Sequence, residues 1–328
     1  MDDPDFVRLV GGVPHLTIDE VVAHPGLAEA RRLYVDRFLA VYGGEPFMAR
    51  LLIETGRFLV FLVAVVLASG HDPARRETWF TVGRLKRELA IFGMVSERQI
   101  DHLIGRLCAV GFMTMEPAEA DRRVRILKPT QPMLAHDRAW LAAHYAPITV
   151  VGRFADYAPV MCQDPAYQIA QRRTSIAFLP LSGKLLAMTP DLLMFFNHAA
   201  GHMVSAALLQ AAMAADDLHA AVPYADVGER FGVSRTHVRK ILVEAQDAGL
   251  VRLHSRGGHR VEILPRLWAS YDRGLAVGMF ILDSIHALVI GRRAAEDRQG
   301  WADAGPRLPE TDPVAGADGP AAKLRAHR

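Results

Sequence analysis

Cysteine is nearly missing from this chain: Cys108 and Cys162 are the two in 328 residues. Two thiols build no disulfide framework, and so low a count suits a reducing compartment, so a cytoplasmic protein is expected. A dominant charge is lacking too. Lys and Arg total 38 against 36 Asp and Glu, a formal +2 at pH 7. Any surface that attracts a polyanion must therefore be local. No apolar run approaches the roughly 20 residues that a membrane-spanning helix needs. The longest, FLVFLVAVVLA from Phe58 to Ala68, reads as a buried core helix. The opening MDDPDFVRLV is acidic where a secretory signal is basic, so neither a signal nor membrane association is expected. Enzyme motifs are missing as well. LSGKLL (181–186) has Gly-Lys but neither the upstream Gly nor the following Ser/Thr of a phosphate loop. H-E-x-x-H, G-x-S-x-G and C-x-x-C do not occur. No catalytic residue, cofactor or metal is expected.

What the chain does contain is an ordinary globular balance, 51% hydrophobic and 23% charged, and a pattern that recurs. HPGLAEARR (24–32) is echoed by DPAYQIAQRR (164–173). Pro46 and Pro190 each precede a long apolar stretch (47–68 and 192–215). FTVGRLKREL (80–89) is followed by VPYADVGERF (222–231), and SERQIDHLIGRLCAVGFM (96–113) by SRTHVRKILVEAQDAGLV (234–251). VRIL (124–127) matches VEIL (261–264), and Asp137-Arg138 matches Asp272-Arg273. The order never breaks, which predicts an internal duplication. The expected organisation is an N-terminal arm (1–23), a first unit (24–146, core 80–130), a connector (147–163) and a second unit (164–290, core 222–265). Residues 291–328, rich in Ala, Gly, Pro, Asp and Arg, read as a disordered tail.

Each core reads as helix, turn, helix, hairpin. In the second, Val227 and Phe231 share a face, Gly232 supplies the turn and Ser234 caps the next helix. Val238, Ile241, Leu242 and Ala245 point inward, and Gly249 ends the helix. VRLHSRGGHRVEIL (251–264) alternates as a two-stranded hairpin with Arg256-Gly257-Gly258-His259 at its tip. This is the winged helix-turn-helix order, a mainly α fold with small β-hairpin wings. Its second helix enters a major groove and its wing reaches phosphates or the minor groove. In the first core, Leu85 and Leu89 define the support helix and the turn (90–95) is longer. Ser96 caps, Ile100, Leu103, Ile104 and Leu107 face inward, Gly111 closes the helix, and 112–130 form the wing.

Expected base-reading residues are Ser234, Arg235, Thr236, His237, Arg239 and Lys240, with Ser96, Arg98, Gln99 and His102 in the first core. Expected phosphate and wing contacts are Arg252, Arg256, His259 and Arg260, with Arg106, Arg122, Arg123 and Arg125. From Ser234 to Arg260 there are six Arg/Lys against Glu244 and Asp247, net +4. From Ser96 to Lys128 there are six Arg/Lys against five Asp/Glu, net +1. The second unit is the better DNA reader by this count. His198 and His202, four apart in FFNHAAGHMV, read as positions on one apolar helix. With Asn197 they are candidates to line a ligand pocket, not a metal site.

GRLCAVGFM followed by EADRRVRILKPT resembles the MarR family of winged-helix regulators. The features that carry the likeness are Gly111, Asp121-Arg122-Arg123 and Thr130. FGVSRTHVRKIL with AGLV looks as much like Crp- or GntR-type winged helices, and its wing lacks the Asp-Arg-Arg triplet. MarR-type proteins are usually homodimers that bind a pseudo-palindrome and release it on binding a small effector. The resemblance therefore implies a fused pseudo-dimer, whose body is built by helices at 27–42, 133–145, 192–215 and 266–290. The partner expected is double-stranded DNA, with a small-molecule effector, and the chain works as a monomer or a homodimer. The function expected is a transcription regulator, a repressor. The alternatives are a tandem winged-helix replication initiator and a winged-helix protein-interaction scaffold.

Overall fold

The computed structural model describes residues 4–43, 51–52, 54–152, 156–215, 217 and 219–304, with the backbone alone at 4, 186 and 293–304. The fold is mainly helical with two small antiparallel sheets. The chain divides into two units, Met1–Ile290 and Gly291–Arg328, and both expected winged-helix segments lie within the first.

The N-terminal arm holds two short helices, α1 (Pro4–Val10) and α2 (Ile18–Val22). Phe6, Val10, Leu16 and Ile18 are buried, so the arm is held down by apolar contact. α3 (Leu27–Gly43) buries Leu27, Ala30, Tyr34, Val35, Phe38, Leu39 and Tyr42 at helical spacing. α4 (Thr55–Ser69) contains the apolar run and buries Val60, Phe61 and Val63 to Leu67. Pro46 lies outside the described residues.

Next come α5 (Val82–Leu89), α6 (Glu97–Ala109), the hairpin β1 (Met113–Pro117) and β2 (Arg125–Pro129), and α7 (Gln131–Tyr145). The expected connector is packed: α8 (Ile148–Val151) buries Ile148 and Val151, α9 (Ala158–Met161) buries Val160, and Tyr157 just before α9 is buried too. The second half runs α10 (Pro165–Ser175), α11 (Leu179–Leu186), α12 (Pro190–Phe196), α13 (Gly201–Ala215), β3 (His219–Ala220), α14 (Tyr224–Phe231), α15 (Arg235–Asp247), β4 (Val251–Leu253), β5 (Val261–Ile263) and α16 (Pro265–Ala304).

Two expectations are corrected. The stretch 192–215 is not one helix. It breaks at 197–200, where Ala200 takes a left-handed φ of 59°. A Cβ at Gly201 would lie 1.8 Å from the Phe195 carbonyl oxygen, so the chain folds back too tightly there for any other residue. The tail does not begin disordered: residues 291–304 are helical, and 305–328 lie outside the described residues.

Helices of the N-terminal half pack on helices of the C-terminal half. α3 packs on α13, and α10 packs on α4. Charges follow suit. Arg31 of α3 bonds Asp272 of α16, and Arg172 of α10 bonds Asp137 of α7. Each guanidinium also lies over an indole, Arg31 over Trp268 at 4.6 Å and Arg172 over Trp140 at 5.3 Å.

Within α16, Pro265–Arg292 is long and apolar enough to cross a membrane by length and composition, but 67% of its most apolar window is buried inside the protein. Asp283 on this helix is fully buried. It accepts from the Tyr157 hydroxyl at 2.7 Å and the Leu16 backbone N–H at 2.6 Å, so both the arm and the connector are tied to it. A carboxylate satisfied by protein donors is what burial in a core demands.

Candidate nucleic-acid interface

Local chemistry builds each helix–turn–helix. Thr81 caps α5 by accepting from the Arg84 N–H. A single 3₁₀ turn over 90–92 and left-handed Gly93 (φ 62°) lengthen the first turn. Ser96 and Gln99 then form a reciprocal capping box at the start of α6: Ser96 Oγ accepts from the Gln99 N–H, and Gln99 Oε1 accepts from the Ser96 N–H at 2.8 Å. In the second half Gly232 (φ 70°) makes the turn, and Ser234 Oγ accepts from the His237 N–H. Ile100, Leu103, Ile104 and Leu107 on α6, and Val238, Ile241, Leu242 and Ala245 on α15, are buried. The opposite faces are therefore left to solvent.

On α15, Arg235, Thr236, Arg239 and Lys240 are exposed, and Ser234 stands exposed at its start. Among the described residues, Arg235, Arg239 and Lys240 make no ion pair. His237 turns inward. Its Nε2 lies 2.9 Å from the Ala199 carbonyl oxygen, to which it donates, and its ring meets His198 edge-on at 6.0 Å. That contact draws it out of the exposed row.

On α6, Ser96, Arg98, Gln99, His102 and Arg106 line a concavity of about 310 Å³ together with Arg57 and Leu103. Gln99 is spent on the capping box. Glu97 and Asp101 face Lys86 of the support helix, at 3.3 and 2.9 Å. The first helix is thus cationic on one flank and acidic on the other.

The wings differ. β1 and β2 pair over five residues, Met113↔Pro129 to Pro117↔Arg125, and the Leu127 N–H continues the ladder to the Phe80 carbonyl. Arg122, Arg123 and Arg125 are exposed at or beside the tip, and Asp121 is drawn to Arg76 at 3.2 Å. The second wing has strands of three residues, plus a third strand that the sequence reading missed. β3 pairs with β5, His219↔Glu262, and β4 pairs with the other edge of β5, Arg252↔Glu262. Its tip does not project freely. Gly258 is buried, its carbonyl accepts from the Val222 N–H at 2.8 Å, and a Cβ there would lie 2.3 Å from the Val222 oxygen. Arg256, His259 and Arg260 remain exposed. Arg252 is engaged by Glu262 at 3.1 Å.

The candidate pocket residues separate because of the break at 197–200. Asn197 is exposed, and His198 Nε2 reaches Glu244 of α15 at 3.0 Å. His202 lines a cavity. Its ring stacks on Phe38 at 4.3 Å and meets Phe196 edge-on at 4.8 Å, in a space of about 190 Å³ also bounded by Tyr42, Trp140 and His144. Burial lowers the His202 pKa to about 4 and the His144 pKa to about 3, so both imidazoles are neutral near pH 7. His144 Nδ1 lies 2.9 Å from the Trp140 carbonyl and its Nε2 3.3 Å from the Tyr34 hydroxyl. The tautomer protonated on Nδ1 satisfies both. Sequence spacing pointed to His202 but not to His144, whose neighbours come from distant segments.

No protein-family model matches the chain, and neither a curated protein nor a solved structure does.

Proposed function

We propose that this chain is a sequence-specific, double-stranded-DNA-binding transcription regulator, a repressor, built as a single-chain pseudo-dimer of two winged helix-turn-helix units. The observation that carries the reading is the exposed face of α15. Arg235, Thr236, Arg239 and Lys240 lie on the solvent side of a helix whose other side is core, and among the described residues its three cations pair with no carboxylate. Cations left without partners on one helical face are free to take phosphate or a guanine edge.

The reciprocal contacts support the pseudo-dimer. In a two-fold interface, element A of one half meets element B of the other and the reverse, which is the pattern of α3 on α13 and α10 on α4. Because α15 carries free cations while α6 carries Glu97 and Asp101 beside Lys86, the two half-sites of the operator differ in sequence, and the second unit contributes more affinity. The aromatic cavity at His202 and His144, uncharged and between the halves, is where a small effector would bind.

The test is binding to sites recovered from random DNA by in vitro selection. Arg235→Ala and Arg239→Ala each cost about 1–3 kcal/mol per lost base contact and relax preference at one position of the site. Unchanged affinity and unchanged preference in both variants would remove α15 as the reader.

A further inference from the structure

We propose that His219, His254 and Glu262 form a binding site for one zinc ion on the three-stranded sheet of the second wing. The three side chains come from adjacent strands. His219 lies on β3 and opposes Glu262 on β5, and His254 follows β4 by one residue, its backbone N–H bonded to the Arg260 carbonyl. Side chains two apart on a strand share a face, so His254 stands on the same face as Arg252, which opposes Glu262. The donor atoms of the three residues lie within 4.8 Å of one another. Zinc holds imidazole nitrogen at about 2.0–2.1 Å and carboxylate oxygen at about 2.0–2.2 Å in a tetrahedron, which puts its donors roughly 3.4 Å apart. Side-chain rotation covers the difference, since all three groups are partly exposed.

A second observation points the same way. Asp217 Oδ1 lies 3.1 Å from His219 Nδ1 and also accepts from the His219 backbone N–H at 3.2 Å. A carboxylate holding one ring nitrogen fixes the tautomer and leaves the Nε2 lone pair for a metal. Two imidazoles and one carboxylate suit zinc better than the oxygen-loving magnesium or calcium, and leave the fourth position to water.

Without zinc, Glu262 Oε2 is shared between His254 Nε2 at 2.7 Å and Arg252 at 3.1 Å. Zinc takes the place of the Nε2 proton, which shifts to Nδ1, and binds the carboxylate that held Arg252. The Arg252 guanidinium, 61% exposed, is then free for a DNA phosphate, a consequence that rests on the proposed function.

The experiment is calorimetric zinc titration of the full chain after chelator treatment, without DNA. The expected result is one zinc per chain. Affinity falls at least about tenfold in His219→Ala, His254→Ala and Glu262→Gln, falls about tenfold in Asp217→Asn, and holds in His259→Ala, a wing histidine outside the cluster. Melting curves show that each variant is folded. No uptake by the wild type, or uptake that the three ligand changes leave intact, overturns the site. A second arm reads DNA binding against salt. Zinc steepens the slope by about one phosphate contact in the wild type but not in Arg252→Ala, and an unaltered slope overturns the link to Arg252. A chain that takes up zinc and binds no DNA would sink the proposed function and leave the zinc site standing.

Discussion

Arg31 Nη1 bonds both carboxylate oxygens of Asp272 at 2.7 Å, across 241 positions of the chain. The counterpart contact, Arg172 to Asp137, is deeper: side-chain exposures are 4% and 1%, against 16% and 19% for the first pair. Asp137 also accepts from Gln168 Nε2 at 2.7 Å. Burial raises the Asp272 pKa although Arg31 opposes it, so desolvation outweighs the ion pair there.

The deeper pair sets the first prediction. Removing one partner of a buried, hydrogen-bonded ion pair strands the other charge, which costs about 3–5 kcal/mol. Arg172→Met or Asp137→Ala should lower unfolding free energy by that amount in urea titrations. A loss below about 1 kcal/mol, the value of an exposed pair, would show that water reaches Asp137.

Stability should also fall in mild acid. His144 and His202 have folded pKa values of about 3 and about 4, below the unfolded value of 6.5. The unfolded chain therefore takes up protons first. The contribution is complete above pH 6.5 and is lost as pH falls from there toward 4 for His202 and toward 3 for His144. Each histidine adds a slope of up to about 1.4 kcal/mol per pH unit in that window. His202→Leu should flatten the dependence of urea stability on pH by about half of the two-histidine slope. An unaltered slope would mean that His202 titrates in the folded protein.

Gln99 and Arg235 should part company. Gln99 is committed to the cap of α6, so Gln99→Ala costs about 1 kcal/mol of folding stability with no change in base preference. Arg235→Ala does the reverse. Denaturation and site selection on the same pair of variants separate the roles. A change in selected sequence with Gln99→Ala would return it to the reading surface.

The second wing tip provides a comparison of neighbours. Gly257 and Gly258 both have positive φ, 81° and 84°. A Cβ at Gly257 meets the His259 ring at 3.3 Å, whereas at Gly258 it meets the Val222 carbonyl at 2.3 Å and the Tyr224 ring at 2.5 Å. Gly257→Ala should cost about 1 kcal/mol for the backbone conformation. Gly258→Ala should cost more, because the hairpin must lift from the start of α14. Hydrogen exchange at the Val222 N–H reports this directly: it should speed up in Gly258→Ala and stay slow in Gly257→Ala.

The sequence alone determined what is settled within a turn or two of chain. Ser96 and Ser234 cap because a hydroxyl is in reach of an N–H three residues on. Gly93, Gly111, Gly232 and Gly249 close helices or turns because each can take a positive φ. The buried faces of α6 and α15 follow from apolar spacing alone. The three-residue spacing of Ser96 and Gln99 suits a capping box, and the box takes Gln99 from the expected base contacts. Tertiary structure decided whatever depends on where distant backbone lies. The Phe195 carbonyl breaks 192–215 at Gly201, and Ala199 draws His237 inward. Val222 seats the wing tip. His219 meets His254 and Glu262 across strands too short to leave a pattern, and Arg31 finds Asp272 in the other half. Spacing along one element reports its own faces, and cannot report which remote carbonyl, carboxylate or ring will stand opposite them.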